Sequence, residues 1–147
     1  MVELYHGSLP IEAIFEKWHE TIREKNFGAF IPFVGIVRDE GGIEGLSFDV
    51  YEPLLREWFE AWKLRALEKG AVVMMAHSMG DVALHTSSYI AAVASPQRKV
   101  ALQMIEEFVE DFKATAPIWK YDLREGKRIY AKDRSTPLPH SGLLSLC

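Results

Sequence analysis

Three segments of the chain each begin at a proline and carry apolar residues at the spacing of an amphipathic helix. The three opening prolines are Pro10, Pro53 and Pro96. Gly28 and Gly70 lie beyond the first two segments, where a glycine commonly follows a helix. The third segment has Ser95 as its expected N-cap and ends before Pro117, because the residue before a proline avoids helical geometry. The sequence therefore predicts three helices that each bury one face.

Short apolar runs of strand type lie between and after these helices. They cover residues 28–38, 45–51, 72–76, 89–94, 118–123 and 128–131. We expect the first two runs to pair as a hairpin with a mobile tip, because Asp39, Glu40 and two glycines separate them. A turn at residues 79–81 is expected between the next two runs. Glu125 and Gly126 are expected to turn the last two into a second hairpin.

The order of the elements is β, α, β, β, α, several β, α, β, β, which neither alternates strictly nor separates helices from strands. Such an order favours an α+β fold over a doubly wound parallel sheet. A length of 147 residues without an internal repeat or linker predicts one domain, residues 1–147. The tail, residues 135–147, is rich in proline and small side chains, so we expect it to be loosely ordered and flexible.

The composition restricts the partners and the compartment of the protein. A net charge of −4 argues against a nucleic-acid surface, so any anion site must be a local cluster of cations. No apolar run approaches the length of a membrane span, and the first residues lack the pattern of a secretory signal. The single cysteine, Cys147, cannot form an intrachain disulfide. We therefore expect a cytoplasmic protein that binds neither nucleic acid nor membrane.

Four cations at the ends of predicted elements are the best candidates for an anion site. They are Arg38, Arg98, Lys113 and Lys120. Arg98 falls in the first turn of the third helix, where the helix dipole disfavours a positive charge unless an anion is bound. The free N–H groups of residues 95–98 are a plausible phosphate seat, with the guanidinium as a second ligand. A solvated arginine explains the same pattern equally well.

Lys113 and Lys120 flank the predicted end of the third helix and the start of the following strand. If their ammonium groups converge in a partly dry pocket, each lowers the pKa of the other, and one becomes a general acid/base or nucleophile. The alternative is a lysine that caps a helix end and a lysine exposed on a strand. The spacing permits either interpretation.

Other catalytic constellations are weakly supported. The segment AHSMG around Ser78 is similar to a hydrolase nucleophile elbow, but its first glycine is replaced by alanine and a strand follows where a helix is required. The histidines form no metal-binding pair of the usual spacing, and the acidic residues of the third helix fit a solvated face. We expect no serine hydrolase, no metal site and no bound cofactor.

Five blocks of sequence together resemble one known family. They are GIVRDEGG, YEPLLREW, AHSMGD, SYIAAVASPQRKVA and KATAPIWK. In this order and spacing they are similar to the large, catalytic subunit of molybdopterin synthase, over about residues 28–123. The resemblance implies an α+β fold with a hammerhead-type subdomain and an antiparallel sheet. It also implies a dimer of large subunits inside a heterotetramer.

The resemblance implies a partner, a substrate and a set of site residues. The partner is a small ubiquitin-like sulfur-carrier subunit whose C-terminal Gly-Gly, as a thiocarboxylate, delivers sulfur to cyclic pyranopterin monophosphate. Two deliveries build the dithiolene. By position, Lys113 matches the principal catalytic lysine and Lys120 the second one. Arg38 and Arg98 match pocket arginines that hold the substrate phosphate and the carrier carboxylate.

One departure concerns Gln97, which stands where the family usually has histidine. Gln97 can still hydrogen-bond a phosphate or a pterin, so it remains a substrate-binding candidate, but it cannot titrate near neutral pH. A further basic residue that reaches the neighbouring site corresponds to Arg128, Lys132 or Arg134. The departure leaves a second hypothesis open, a non-catalytic dimeric module that binds an anionic metabolite.

Overall fold

The computed structural model describes residues 1–131, which form three helices and seven strands. The helices are α1 (Ile11–Ile22), α2 (Glu52–Glu68) and α3 (Arg98–Thr115). The strands are β1 (Val2–His6), β2 (Ala29–Ile36), β3 (Gly45–Val50), β4 (Val72–Ala83), β5 (Ser87–Ser95), β6 (Ile118–Arg124) and β7 (Lys127–Tyr130). The mixture of helices with a mainly antiparallel sheet confirms the predicted α+β class. The predicted tail, 135–147, lies outside the described residues.

The strands form two sheets that share β4. The first sheet has the order β2-β5-β4-β1, in which only the β1–β4 pair is parallel. The second sheet continues from the last part of β4 through β3 and β6 to β7, with antiparallel pairs throughout. Gly80 lies where β4 passes from one sheet to the other, and its φ is +75°. This conformation is readily available to glycine.

Helices cover both faces of the first sheet. Because side chains alternate along a strand, residues 90, 92 and 94 of β5 face α1, while residues 89, 91 and 93 face α2 and α3. On the α1 side, Trp18 is fully buried against the sheet. On the other side, Phe108 of α3 packs edge-on against Trp62 of α2. A smaller apolar cluster underlies the second sheet and includes Val37 and Ile43.

The predicted hairpin of residues 28–38 with 45–51 is wrong. β2 pairs with β5, while β3 lies between β4 and β6. The connection does not turn tightly, because Val37 and Ile43 are both buried beneath the second sheet. Because these two side chains are buried there, the connection passes from the first sheet to the second and does not form a hairpin.

Two local predictions near β4 and β5 are also wrong. Residues 79–81 are part of β4, and the turn to β5 lies at residues 84–86. Ser95 ends β5, and Gln97 is the N-cap residue of α3; the Ser95 hydroxyl donates to the Gln97 carbonyl at 2.5 Å. Strand pairing therefore extends further along the chain at both places than the turn and cap signals indicated.

The predicted ends of the elements are confirmed in part. Gly70 follows α2, and Glu125 and Gly126 turn β6 into β7, all three with positive φ. Gly28, however, lies well beyond the end of α1. A Cβ atom there would stand 2.6 Å from the carbonyl oxygen of Pro96, so this glycine permits a close backbone approach instead of ending a helix.

Candidate functional site

A cavity of about 570 Å³ lies where the two sheets meet. Its walls come from the end of β2 and the residues after it, from the C-terminal turn of α3, and from β3 and β6. The cavity is of ordinary size for a ligand site. Elements that are distant in sequence therefore build one concave site.

Three of the predicted cations line this cavity: Arg38, Lys113 and Lys120. Arg38 follows β2, and its guanidinium Nε lies 2.7 Å from a carboxylate oxygen of Glu40. Lys113 lies in the last turn of α3, and Lys120 lies in β6 opposite Phe48 of β3. The structure thus brings Lys113 and Lys120 together with Arg38 around the same space.

The base of the cavity is aromatic and contains a buried histidine. His77 of β4 packs edge-on against Phe48 at 4.8 Å between ring centroids, and it lies 5.5 Å from the ring of Phe112. Its Nδ1 lies 2.7 Å from the Ser78 carbonyl oxygen, so the neutral ring carries its proton on Nδ1. Burial lowers the pKa of His77 from 6.5 to about 4, a shift that this hydrogen bond only partly offsets. The ring is therefore neutral at neutral pH.

Tyr89 of β5 pairs opposite His77 and completes the aromatic base. Its ring stacks on Phe112 with centroids 4.3 Å apart. Gly35 of β2 leaves room for it, because a Cβ atom at position 35 would lie 3.2 Å from the Tyr89 Cβ. The hydroxyl is buried, burial raises the pKa of Tyr89, and the oxygen has no hydrogen-bond partner among residues 1–131. The base is therefore uncharged, whereas the cations lie around it.

Sequence reasoning missed His77, Tyr89, Phe48 and Phe112 as cavity residues. Each lies in a run that reads as core, and nothing in the spacing indicates a site. A buried histidine and a buried tyrosine on adjacent strands are a signal only once the strand register is known.

Arg98 and Gln97 are not among the residues that line the cavity. They are exposed at the N-terminal end of α3, whereas Lys113 lies in its last turn. Fifteen residues of helix separate Arg98 from Lys113 by about 22 Å along the axis. The first turn of α3 holds no acidic residue. Ser95 does not cap the helix, so the predicted phosphate seat at residues 95–98 lacks its side-chain cap. The five predicted site residues therefore lie at two places on one protomer.

Arg128, one of three candidates for a basic residue that reaches a neighbouring site, is held within its own protomer. It forms an ion pair with Asp49 at 2.7 Å, donates to the Ser47 hydroxyl at 3.0 Å, and lies over the ring of Tyr121. The other two candidates, Lys132 and Arg134, lie outside the described residues.

Ser78 is not a nucleophile. It is completely buried within β4, and its hydroxyl donates to the Gly7 carbonyl oxygen at 2.6 Å. The strand continues past it, so the strand-to-helix turn of a nucleophile elbow is missing. Over residues 1–131 there is no group of three potential metal ligands and no helix able to cross a membrane.

Comparison with known proteins gives a consistent result. A family model described as MoaE protein matches residues 10–115. The chain is 52% identical to the molybdopterin synthase catalytic subunit of Helicobacter pylori strain 26695, over 99% of this chain and 100% of that protein. It is 45% identical to the protein of the same name from strain J99, again over 99% and 100%.

Solved structures agree with this similarity. A complex of subunits 1 and 2 of molybdopterin-converting factor from Helicobacter pylori 26695 contains a chain with a TM-score of 0.91 and 52% identity, covering 97% of this chain and 98% of that one. The molybdopterin synthase of Staphylococcus aureus matches with a TM-score of 0.75 and 26% identity, over 87% and 94%.

Proposed function

Because the chain belongs to the MoaE protein family, we propose that it transfers sulfur from the thiocarboxylated C-terminus of a small carrier subunit to cyclic pyranopterin monophosphate. The chain is a sulfur-transferring enzyme of molybdenum cofactor biosynthesis. We further propose that the carrier ends in Gly-Gly, that the pterin is the substrate, that each site residue has the role given below, and that the protein is cytoplasmic.

The observation that carries the proposal is the meeting of Arg38, Lys113 and Lys120 around one cavity. Both reactants are anionic at the reacting end, since one brings a phosphate and the other a thiocarboxylate. Arg38 is largely exposed and its ion pair with Glu40 contributes little, so its guanidinium is available to an incoming anion. The cavity therefore offers positive charge where two anions must be held close together.

We assign the chemical steps of sulfur transfer to Lys113 and Lys120. The carrier sulfur forms a bond to a carbon of the pterin as a carbon–oxygen bond at that carbon breaks and the oxygen leaves with a proton. Water then attacks the acyl carbon and the bond between that carbon and the sulfur breaks, so the carrier leaves as a carboxylate and the sulfur stays on the pterin as a thiolate. An ammonium group beside the acyl carbon stabilises the developing oxyanion and supplies or removes protons. Lys113 carries this role and Lys120 assists it. The uncharged base beside them lowers the local dielectric and strengthens both effects.

Arg98 and Gln97 require a second copy of the chain to take part. Both residues lie too far from Lys113 along α3 to contribute directly to the cavity of their own protomer. We assign them to the cavity of the neighbouring large subunit in a homodimer, where Arg98 would bind phosphate and Gln97 would donate to it. The solved complex with subunits 1 and 2 supports the small-subunit partner of the resulting heterotetramer.

The test is sulfur transfer from thiocarboxylated carrier to the pterin precursor, followed as dithiolene formation. Lys113→Ala should reduce the rate at least about a hundredfold, because proton transfer and oxyanion stabilisation are lost. Lys63→Ala, which removes an exposed lysine of α2, is the matched control and should keep the wild-type rate. Wild-type turnover by a folded Lys113→Ala variant would remove Lys113 from the mechanism.

The regulatory-module hypothesis is not favoured, because the full-length relatives are named as catalytic subunits. It predicts binding of the pterin alone and no product when the thiocarboxylated carrier is added. The same assay with wild-type protein separates the two hypotheses.

A further inference from the structure

The base of the cavity holds a buried titratable residue, His77, to which the proposed function gives no role. His77 is 3% exposed and lines the cavity from β4. Burying an imidazole has a cost, because its polar nitrogens lose their hydrogen bonds to water. An apolar side chain would fill the same space between Phe48 and Phe112 without that cost. A use for the ring nitrogens would explain why a histidine is present.

Only one of the two ring nitrogens is used inside the protein. Nδ1 donates to the Ser78 carbonyl oxygen at 2.7 Å, so the neutral ring leaves a lone pair on Nε2. Nε2 forms no hydrogen bond with residues 1–131, yet it is not enclosed by protein atoms. The Tyr89 hydroxyl oxygen and the Trp119 indole nitrogen, by contrast, are enclosed without a partner. His77 therefore presents a hydrogen-bond acceptor to the cavity.

The packing around the ring fixes the position of this acceptor. Phe48, Phe112 and Tyr89 surround the imidazole with centroid distances of 4.8, 5.5 and 5.8 Å. A flip of the ring would break the hydrogen bond to the Ser78 carbonyl. Burial lowers the pKa of His77, so Nε2 stays unprotonated at neutral pH. A polar group with one position and one charge state is suited to orienting a ligand.

The surroundings of Nε2 indicate which part of a ligand it contacts. A phosphate or a carboxylate suits the cations of the cavity, but neither anion offers a proton to a neutral acceptor. The pterin ring carries N–H groups on a planar heterocycle, and the aromatic side chains around His77 offer apolar surfaces to such a ring. Backbone amides of a peptide also donate, but they do not require aromatic surroundings. The pterin ring therefore fits this part of the cavity best.

We propose that Nε2 of His77 accepts a hydrogen bond from a ring N–H of the pterin and so positions the pterin for attack by the carrier sulfur. His77 is a substrate-binding residue in this role, and it neither takes up nor releases a proton. The inference rests on the proposed function. It names the group that recognises the uncharged part of the substrate, whereas Arg38, Lys113 and Lys120 hold the charged parts.

Two substitutions separate this role from a structural one. His77→Asn keeps a donor near the position of Nδ1 for the Ser78 carbonyl but removes the acceptor. His77→Gln places an amide oxygen near the position of Nε2 and loses the hydrogen bond to Ser78. Affinity for cyclic pyranopterin monophosphate is measured on the complex with the carrier in its carboxylate form. His77→Asn should weaken pterin binding about five- to tenfold and His77→Gln at most about threefold.

The control is His85→Asn, which replaces an exposed histidine of the β4–β5 turn and should keep the wild-type affinity. Affinity for the carrier alone should stay within about twofold in all variants. If His77 served only to bond Ser78, His77→Asn would bind the pterin like the wild type, and His77→Gln would be the weaker variant. That order, or equal losses in both variants, would overturn the inference.

Nitrogen-15 NMR of the wild-type protein with labelled histidine gives a measurement that does not depend on a folded variant. The signal of an unprotonated ring nitrogen moves upfield when the nitrogen accepts a hydrogen bond. The Nε2 signal of His77 should move upfield when the pterin is added to the complex, and it should not move at the earlier addition of the carrier. A signal that ignores the pterin, or that already responds to the carrier, would contradict the assignment of the pterin as the donor.

Failure of this inference is distinguishable from failure of the proposed function. If wild-type protein yields no product from thiocarboxylated carrier and cyclic pyranopterin monophosphate, the function is wrong. If product forms and His77→Asn keeps the wild-type KM for the pterin, only the role of His77 is wrong.

Discussion

His77 is expected to make the protein less stable in mild acid. Its ring is buried at the base of the cavity, where burial lowers its pKa from 6.5 to about 4. In the unfolded chain the ring takes up a proton near its ordinary pKa. Between pH 6.5 and pH 4 the unfolded state therefore binds more protons than the folded state, and the free energy of unfolding falls as the pH is lowered.

The size of the effect follows from the two pKa values. Their difference corresponds to a maximum of about 3 kcal/mol of the free energy of unfolding. About 2 kcal/mol of this is lost between pH 7.5 and pH 5, where most proteins can still be studied without acid unfolding. The remainder is lost as the pH approaches 4. This contribution is fully present only above the ordinary pKa of histidine.

Urea unfolding of the wild type and of His77→Asn at a series of pH values isolates this contribution. Asparagine retains a donor close to the position of Nδ1, which donates to the Ser78 carbonyl, but it does not titrate. The stability of the wild type relative to the variant should decrease by about 2 kcal/mol from pH 7.5 to pH 5.

His85→Asn is the control. His85 is exposed in the β4–β5 turn and has a positive φ, which asparagine tolerates. The stability of the wild type relative to this variant should not change in the same way. A pH-independent difference between wild type and His77→Asn would refute the argument that burial keeps His77 neutral.

Two further predictions concern the packing around the site. Tyr89→Phe should stabilise the protein by about 1 kcal/mol in urea unfolding, because the removed hydroxyl is buried without a partner among the described residues; a loss of stability would show that it has one. Gly28→Ala should destabilise the protein by about 1–3 kcal/mol, because the new methyl group meets the Pro96 carbonyl oxygen at 2.6 Å. Gly70→Ala, which adds a methyl group in open space at positive φ, should cost only about 1 kcal/mol, and equal losses would contradict the close approach at position 28.

The helices were predictable because each carries its own evidence. A proline near the start and a period of 3.6 are local signals, and all three helices occur where these signals lie. The closing glycine or proline lies at the end of α2 and α3 but not of α1. The partners of the strands were not predictable in the same way. A period of two reveals which face of β2 is apolar, but it does not reveal that β5 lies beside it or that burial of Val37 and Ile43 separates β2 from β3.

The charged part of the site was predictable, from cations at the ends of elements and from the resemblance to a family. Lys113 and Lys120 follow from the segment KATAPIWK, and the structure places both at the cavity. Arg98 also follows from the resemblance, yet one protomer leaves it at the far end of α3. Its position in the sequence does not reveal that it lies away from the cavity. His77 and Tyr89 become neighbours through strand register alone.

The buried His77 lies at the base of the cavity that Lys113 and Lys120 line, between elements on two of its sides. Lys113 follows Phe112 in α3, and Lys120 pairs opposite Phe48 across the second sheet. The ring of His77 packs against both Phe48 and Phe112, so it lies between α3, which carries Lys113, and β3, which pairs with the strand that carries Lys120.

A neutral His77 ring suits the base of the cavity better than a charged one. A protonated imidazole would add a third positive charge next to the two ammonium groups and would have to be desolvated at the same time. β4 places His77 at the base of the cavity and still pairs with β3, because Gly80, three residues later, lets the strand bend into the second sheet. The positions of Lys113 and Lys120, to which the proposed function gives the chemistry, are therefore set by packing at the junction of the sheets.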